Sequence, residues 1–298
     1  MIVKNCHVVF GLLLSAFLAE ADTTISATDK YAWSTNSGWL TFVHDRPSSP
    51  DGVVVGEYYL SGLAYSGNTG WINFGSGAPS NGFSYTNEAA DHGVNHDGAG
   101  NLSGFAWSAN TGWINFGWAD VSNPHRARIE LSSGLFDGYA WSANIGWVNL
   151  GTGILRTSAL MSVDSDLDGI ADHWEFEEFG NLGTANDASD SDGDGSSDLH
   201  EYIADSDPND TEGLLKVVAY DYDLSMDEFT LNFTTSESRL YRIEHSADLG
   251  VTDPWVDSDL ATFSPDAGSF TTKTLTVPAA SADKYFFRAV AIRPLATE

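Results

Sequence analysis

The chain predicts a mainly β protein in three parts: an N-terminal four-copy β-repeat domain, a short acidic loop-helix linker and a C-terminal β-sandwich. Three observations carry this. A twelve-residue aromatic pattern with period-two alternation recurs four times in the first half. Seventeen of the 42 Asp and Glu residues crowd between Asp164 and Glu212, and no Lys or Arg occurs from Thr157 to Leu215. Beyond Leu214, short strand-like runs return, separated by Asp, Ser, Gly and Pro.

The first residues read as an export segment. Lys4 precedes an apolar stretch from Val8 to Leu18, and Ala19-Glu20-Ala21 gives a small-x-small cleavage pattern, so residues 1–21 are expected to be removed. The apolar stretch is shorter than the roughly 20 residues a spanning helix needs, and no later stretch approaches that length, so no membrane span is expected. The single cysteine, Cys6, lies inside this segment. A secreted or cell-surface protein without disulfides must be held by its core or by metal. The net charge of −29 disfavours nucleic acid and anionic lipid as partners.

The repeat domain, expected over residues 22–155, contains YAWSTNSGWLTF (31–42), LAYSGNTGWINF (63–74), FAWSANTGWINF (105–116) and YAWSANIGWVNL (139–150). In each copy alternate residues point to opposite faces. Tyr139 and Trp141 oppose Ala140 and Ser142, and beyond the turn Trp147 and Asn149 oppose Val148 and Leu150. Asn-x-Gly between the two runs supplies a side-chain amide and a residue that tolerates left-handed backbone, so each copy predicts a hairpin. A further strand at Ala127–Leu131 and a turn at His96-Asp97-Gly98 suggest about three strands per repeat. The first copy lacks the upstream strand and the preceding glycine found at Gly62, Gly104 and Gly138, which suggests a terminal capping unit. Propeller-like, roll and sandwich arrangements all remain open.

The tryptophans of this ladder are expected in the core, where a buried aromatic contributes roughly 2 to 3 kcal/mol. The rival reading is a glycan-binding face formed by Trp39, Trp71, Trp113 and Trp147, decided by whether these rings are exposed. The pattern resembles aromatic Trp-Ser-x-Asn-x-Gly-Trp repeats of uncharacterised secreted bacterial proteins, a resemblance that implies no activity.

In the linker, expected over residues 156–212, DSDLDGIADHWE (164–175) has Asp at positions 1, 3, 5 and 9, Gly at 6 and Glu at 12, and DSDGDGSSDLHE (190–201) repeats every choice. This spacing wraps a loop around one calcium ion, which takes six to eight oxygens at about 2.3 to 2.6 Å. The expected ligands are Asp164, Asp166, Asp168, the Ile170 carbonyl, Asp172 and Glu175, then Asp190, Asp192, Asp194, the Ser196 carbonyl, Asp198 and Glu201, for two Ca2+ ions. Like charges about 6 Å apart repel by roughly 3 kcal/mol per pair at an effective dielectric of 20, so calcium serves as counter-charge. Short helices are expected at Asp172–Phe179 and Asp198–Ala204. The segment resembles thrombospondin type 3 repeats and EF-hand-like, dockerin-like loop-helix units. It departs from the former in lacking cysteines and from dockerins in having Glu at position 12, which speaks against a cohesin partner.

The last part, expected over residues 213–298, orders Phe229–Phe233, Tyr241–Ser246, Trp255 and Tyr285–Val290 in a way that resembles fibronectin-III-like modules, implying a spacer or surface-association role. No nucleophile elbow, phosphate loop or cysteine pair is present, and the second histidine that His200-Glu201 would need for a zinc motif is Ala204. His92 and His96, beside Asp91 and Asp97, form a weak transition-metal candidate. The expectation is a secreted structural or adhesive protein and not an enzyme, with a glycan-binding module as the rival. A hydrolase using two unsigned carboxylates is the third reading.

Overall fold

The computed structural model describes residues 23–44, 52–223, 225–226, 228–258, 260–276 and 286–296. The expected export segment, residues 1–21, lies outside the described residues. The chain is mainly β, with two short helices among the described residues.

Each aromatic repeat folds into one hairpin. The four are β1 (Ile25–Ser34) with β2 (Gly38–Thr41), β4 (Leu60–Ser66) with β5 (Gly70–Gly75), β7 (Leu102–Ser108) with β8 (Gly112–Asn115), and β11 (Tyr139–Ser142) with β12 (Gly146–Asn149). Neighbouring hairpins pair antiparallel, and β12 returns to β1, so eight strands close into a barrel. Short strands flank it: β3 (Val53–Val55) on β4, β6 (Val94–His96) on β7, a ribbon of β9 (Arg128–Ile129) and β10 (Phe136–Asp137), and β13 (Leu155–Thr157) on β1. Closure leaves none of the eight barrel strands as an edge.

An eight-stranded barrel has an interior just wide enough for side chains, and the repeats fill it in layers. Ala32, Ala64, Ala106 and Ala140 sit opposite Leu40, Ile72, Ile114 and Val148 across each hairpin, small against large, all buried. Phe42, Phe74, Phe116 and Leu150 form the next layer, with Phe42 and Phe74 centroids 5.1 Å apart. At the turn end, the Nδ2 of Asn68, Asn110 and Asn144 donates to the carbonyl of Ser37, Thr69 and Thr111 in the preceding turn, and Asn36 donates to Ile145 of the fourth. Four side-chain amides thus tie four turns into a ring.

The structure decides the arrangement that the sequence left open, and it corrects one expectation. The architecture is a closed barrel, not a propeller, roll or sandwich. The first copy is not a cap, because β1 pairs with β12 and the strand missing upstream of it is supplied by β13 from beyond the fourth copy.

Helices α1 (Asp172–Glu178) and α2 (Asp198–Ala204) follow, with a small core of Ile170, Ala171, Trp174, Ala185 and Tyr202 between them. Beyond them lie two three-stranded sheets: β14 (Val217–Asp223), β15 (Glu228–Thr234) and β18 (Phe270–Thr276), and β17 (Val256–Asp257), β16 (Leu240–Ser246) and β19 (Phe286–Ile292). They share a core of Leu231, Phe233, Tyr241, Ile243, Leu275 and Ala291. The chain then returns to the barrel, where the Leu160 amide donates to the Leu295 carbonyl at 2.9 Å and Leu295 packs on the barrel core.

Candidate metal centre

The two acidic loops fold alike because the same residues do the same work at the same positions. Asp164 accepts the Leu167 and Gly169 amides on its two oxygens at 2.7 and 3.0 Å, and Asp190 accepts those of Gly193 and Gly195 at 2.8 and 3.0 Å. Position 6 has φ of +95° at Gly169 and +96° at Gly195, the left-handed region that glycine enters without penalty. Position 4 is also left-handed, at Gly193 and, less comfortably, at the exposed Leu167. Asp168 and Asp194 accept the amides of Ile170 and Ser196, the two residues expected to offer carbonyls.

The position-9 aspartates act chiefly as braces. Asp172 accepts the Ser165 amide and hydroxyl, and Asp198 those of Ser191 together with the Ser189 hydroxyl. Each fixes the second residue of its own loop, so a metal would reach them through water. Ser165 and Ser191 were not expected to contribute. The signal for them was the Asp-Ser-Asp that opens both loops.

The loop carboxylates also converge on one another. In the first loop, ligand atoms of Asp164, Asp166 and Asp172, and of Asp166, Asp168 and Glu175, lie within 4.8 Å of one another; in the second, those of Asp190, Asp192 and Asp194 do. Oxygens on opposite sides of one calcium ion stand about 5 Å apart, twice the metal-oxygen distance. Glu175 and Glu201 are inaccessible to solvent, and none of their four carboxyl oxygens has a hydrogen-bond partner. One oxygen each of Asp168, Asp192 and Asp194 is likewise buried and unpartnered. Glu201 stands outside the Asp190–Asp194 triad, although Asp192 and Asp194 are the charges that act on it most.

The electrostatics follow. Burial, then Asp168, Asp166, Asp172 and Asp164, push the Glu175 carboxyl up to about 8; burial, then Asp192, Asp194, Asp198 and Asp190, push Glu201 up to about 8. A buried carboxylate without a counter-ion costs several kcal/mol, so the group keeps its proton or takes up a cation. The donors are all oxygen, a set that suits hard cations such as magnesium, calcium or manganese.

Sequence gave no sign of the junction on which these loops sit. Glu57, just past β3, accepts Nε and Nη2 of Arg293 at 3.1 and 2.8 Å on one oxygen. The other oxygen accepts the hydroxyls of Ser162 and of Tyr202 from α2, at 3.1 and 3.2 Å. His173 of α1 packs its ring 3.8 Å from that of Tyr58, and burial holds it down at about 4, hence neutral. Burial would raise Glu57, but Arg293, with Arg239 also nearby, holds it below the ordinary carboxylate range. Barrel, loop helices and terminal sheets therefore meet at one carboxylate.

The other sequence candidates fall elsewhere. Trp39, Trp71, Trp113 and Trp147 are 52%, 37%, 45% and 48% exposed, which corrects the expectation that the ladder is core. The inward positions belong to Ala and Ser, leaving the indoles on the outer wall. The Trp ladder is not one face either, since each hairpin forms a separate quarter of the wall. The buried His96 engages the Glu57 carbonyl through Nδ1, His92 packs on Trp113, and Asp91 and Asp97 brace turns. Comparison with known proteins leaves the assignment to this geometry: no family model, curated protein or solved structure matches the chain.

Proposed function

We propose that the chain is a secreted, calcium-binding structural and adhesive protein, in which two ions fasten the loops that join its β modules. The observation that supports this most is the pair Glu175 and Glu201, each at the twelfth position of its loop, inaccessible, and without a partner for either oxygen. A cation of coordination number six to eight that accepts bidentate carboxylate answers that deficit, whereas magnesium demands tighter octahedral geometry and retains its waters.

The proposed role is mechanical. At ten times its dissociation constant, each ion adds about 1.4 kcal/mol to the folded state. That stabilisation enters at α1 and α2, whose buried faces deliver His173 and Tyr202 to Glu57. Calorimetric titration of calcium into the chelator-treated chain tests the proposal. Two sites are expected, one lost in Asp168→Ala and the other in Asp194→Ala, and no binding at millimolar calcium would reject it.

A further inference from the structure

The barrel's outer wall has a composition that the calcium loops do not explain. The four repeat segments, 31–42, 63–74, 105–116 and 139–150, contain no Asp, Glu, Lys or Arg in a chain of net charge −29. In the first three hairpins a half-exposed aromatic faces another directly across the strands. Trp33 meets Trp39 at 4.9 Å, Tyr65 meets Trp71 at 5.0 Å and Trp107 meets Trp113 at 4.7 Å, with ring planes 59° to 68° apart. In the fourth, Trp147 is propped at 4.7 Å by Trp118 from a loop. With His44 on Trp71 and His92 on Trp113, these contacts brace the rings while leaving them partly open to solvent.

Polar groups stand beside the rings. Asn73 and Asn115 lie directly across the strand from Trp107 and Trp141. Each uses its Oδ1 on a backbone amide two residues on, so the side-chain orientation is set and, among the described residues, Nδ2 has no protein acceptor. A rigid aromatic plate with a fixed amide donor alongside, free of charge, matches the apolar C–H face and equatorial hydroxyls of a neutral sugar.

We propose that the girdle is a multivalent binding surface for neutral polysaccharide, with one aromatic platform on each hairpin. With no Lys or Arg in the four repeat segments and Lys30 standing beside the Tyr65–Trp71 platform, the surface is too poor in cations to favour nucleic acids or anionic lipids, and polar Thr41, Asn73, Asn115 and Asn149 interrupt the apolar area that a bilayer or a protein partner would cover. Because the platforms face outward from four quarters of a closed barrel, one molecule engages separate glycan strands and bridges them. The proposal does not depend on the calcium loops.

The experiment passes the full-length calcium-loaded protein over immobilised β-1,4-glucan, β-1,3-glucan, mannan, galactan and chitin, with polygalacturonate as the charged control. Retention on at least one neutral polymer is expected, with clouding of its soluble form by cross-linking. The combined variant W39A/W71A/W113A/W147A should lose on the order of 100-fold in apparent affinity, since avidity across linked sites multiplies weak ones. Should that variant fail to fold, N73A/N115A keeps every ring and should bind several-fold more weakly, with an unchanged circular dichroism spectrum and melting temperature confirming its fold. Failure to retain any neutral polymer overturns the proposal, as does retention that these substitutions leave unchanged. Trp-dependent flotation with phosphatidylcholine vesicles, or a Trp-dependent dimer in light scattering without glycan retention, reassigns the surface and also overturns it.

Discussion

Glu175 and Glu201 show how one side chain can carry the chemistry of a loop. Both are buried among aspartates, and both carboxyls are pushed up to about 8. For a carboxyl whose folded-state value is raised, the stability it contributes is present in full below its unfolded value, about 4.5, and is lost as the pH rises through about 8. The metal-free chain is therefore expected to lose stability between these limits, and calcium bound as proposed should reverse the loss by replacing the protons. Calcium binding near pH 7 should release close to two protons, and few at pH 9. Titration in two buffers of different ionisation enthalpy measures this directly, with Glu175→Gln and Glu201→Gln each expected to remove one proton from the count. Equal heats in both buffers would mean that the two carboxyls are already ionised and that their burial is compensated by other groups.

At the level of elements, glycine marks where each repeat meets its flanking strand. Gly104 has φ of +77°, and a Cβ there would stand 2.4 Å from the Gly93 carbonyl oxygen. Gly62 and Gly138 make the same approach to Gly52 and Arg126. Gly104→Ala should cost at least about 2 kcal/mol in urea unfolding, from left-handed strain and the clash together. Gly67→Ala, with open space around it, should stay within about 0.5 kcal/mol. This explains the one repeat without the glycine. At Lys30 the neighbouring strand is β13, which joins through an irregular register and needs no such approach. The hairpins were legible in the sequence because period two and Asn-x-Gly are local signals, and both helices were legible because their loops end at fixed spacing. Barrel closure was not, since the β1–β12 pairing spans more than a hundred residues and leaves no local trace. The side to which the indoles turn was not legible either: alternation assigns Trp33 and Ala32 to opposite faces without saying which is inside. The answer came from volume, because an eight-stranded interior admits Ala opposite Leu or Ile but not a layer of indoles.

In the whole molecule, the loops matter because of where they stand. Glu57 binds Arg293 from beyond the last strand, Tyr202 from α2 and Ser162 from the segment entering the first loop. Arg293 also lies over the Tyr202 ring at 4.7 Å, and Arg239 donates to the Tyr202 and Ile203 carbonyls. The end of α2, which the second loop positions, is thus gripped by the terminal sheets and by the barrel together. Removing one partner of a buried ion pair leaves the other uncompensated, a cost of about 3 to 5 kcal/mol. Glu57→Ala should therefore separate events that are joined in the parent. Differential scanning calorimetry of the calcium-loaded parent is expected to give a single transition, and the variant two, with barrel melting apart from the rest. Chelation should produce a similar separation in the parent, because loops that repel internally no longer hold α1 and α2 against Glu57. Chelating the Glu57→Ala variant should then add little, since both changes act on the same junction and their effects are not additive. Full additivity would mean that calcium stabilises each loop locally and that the junction holds without it.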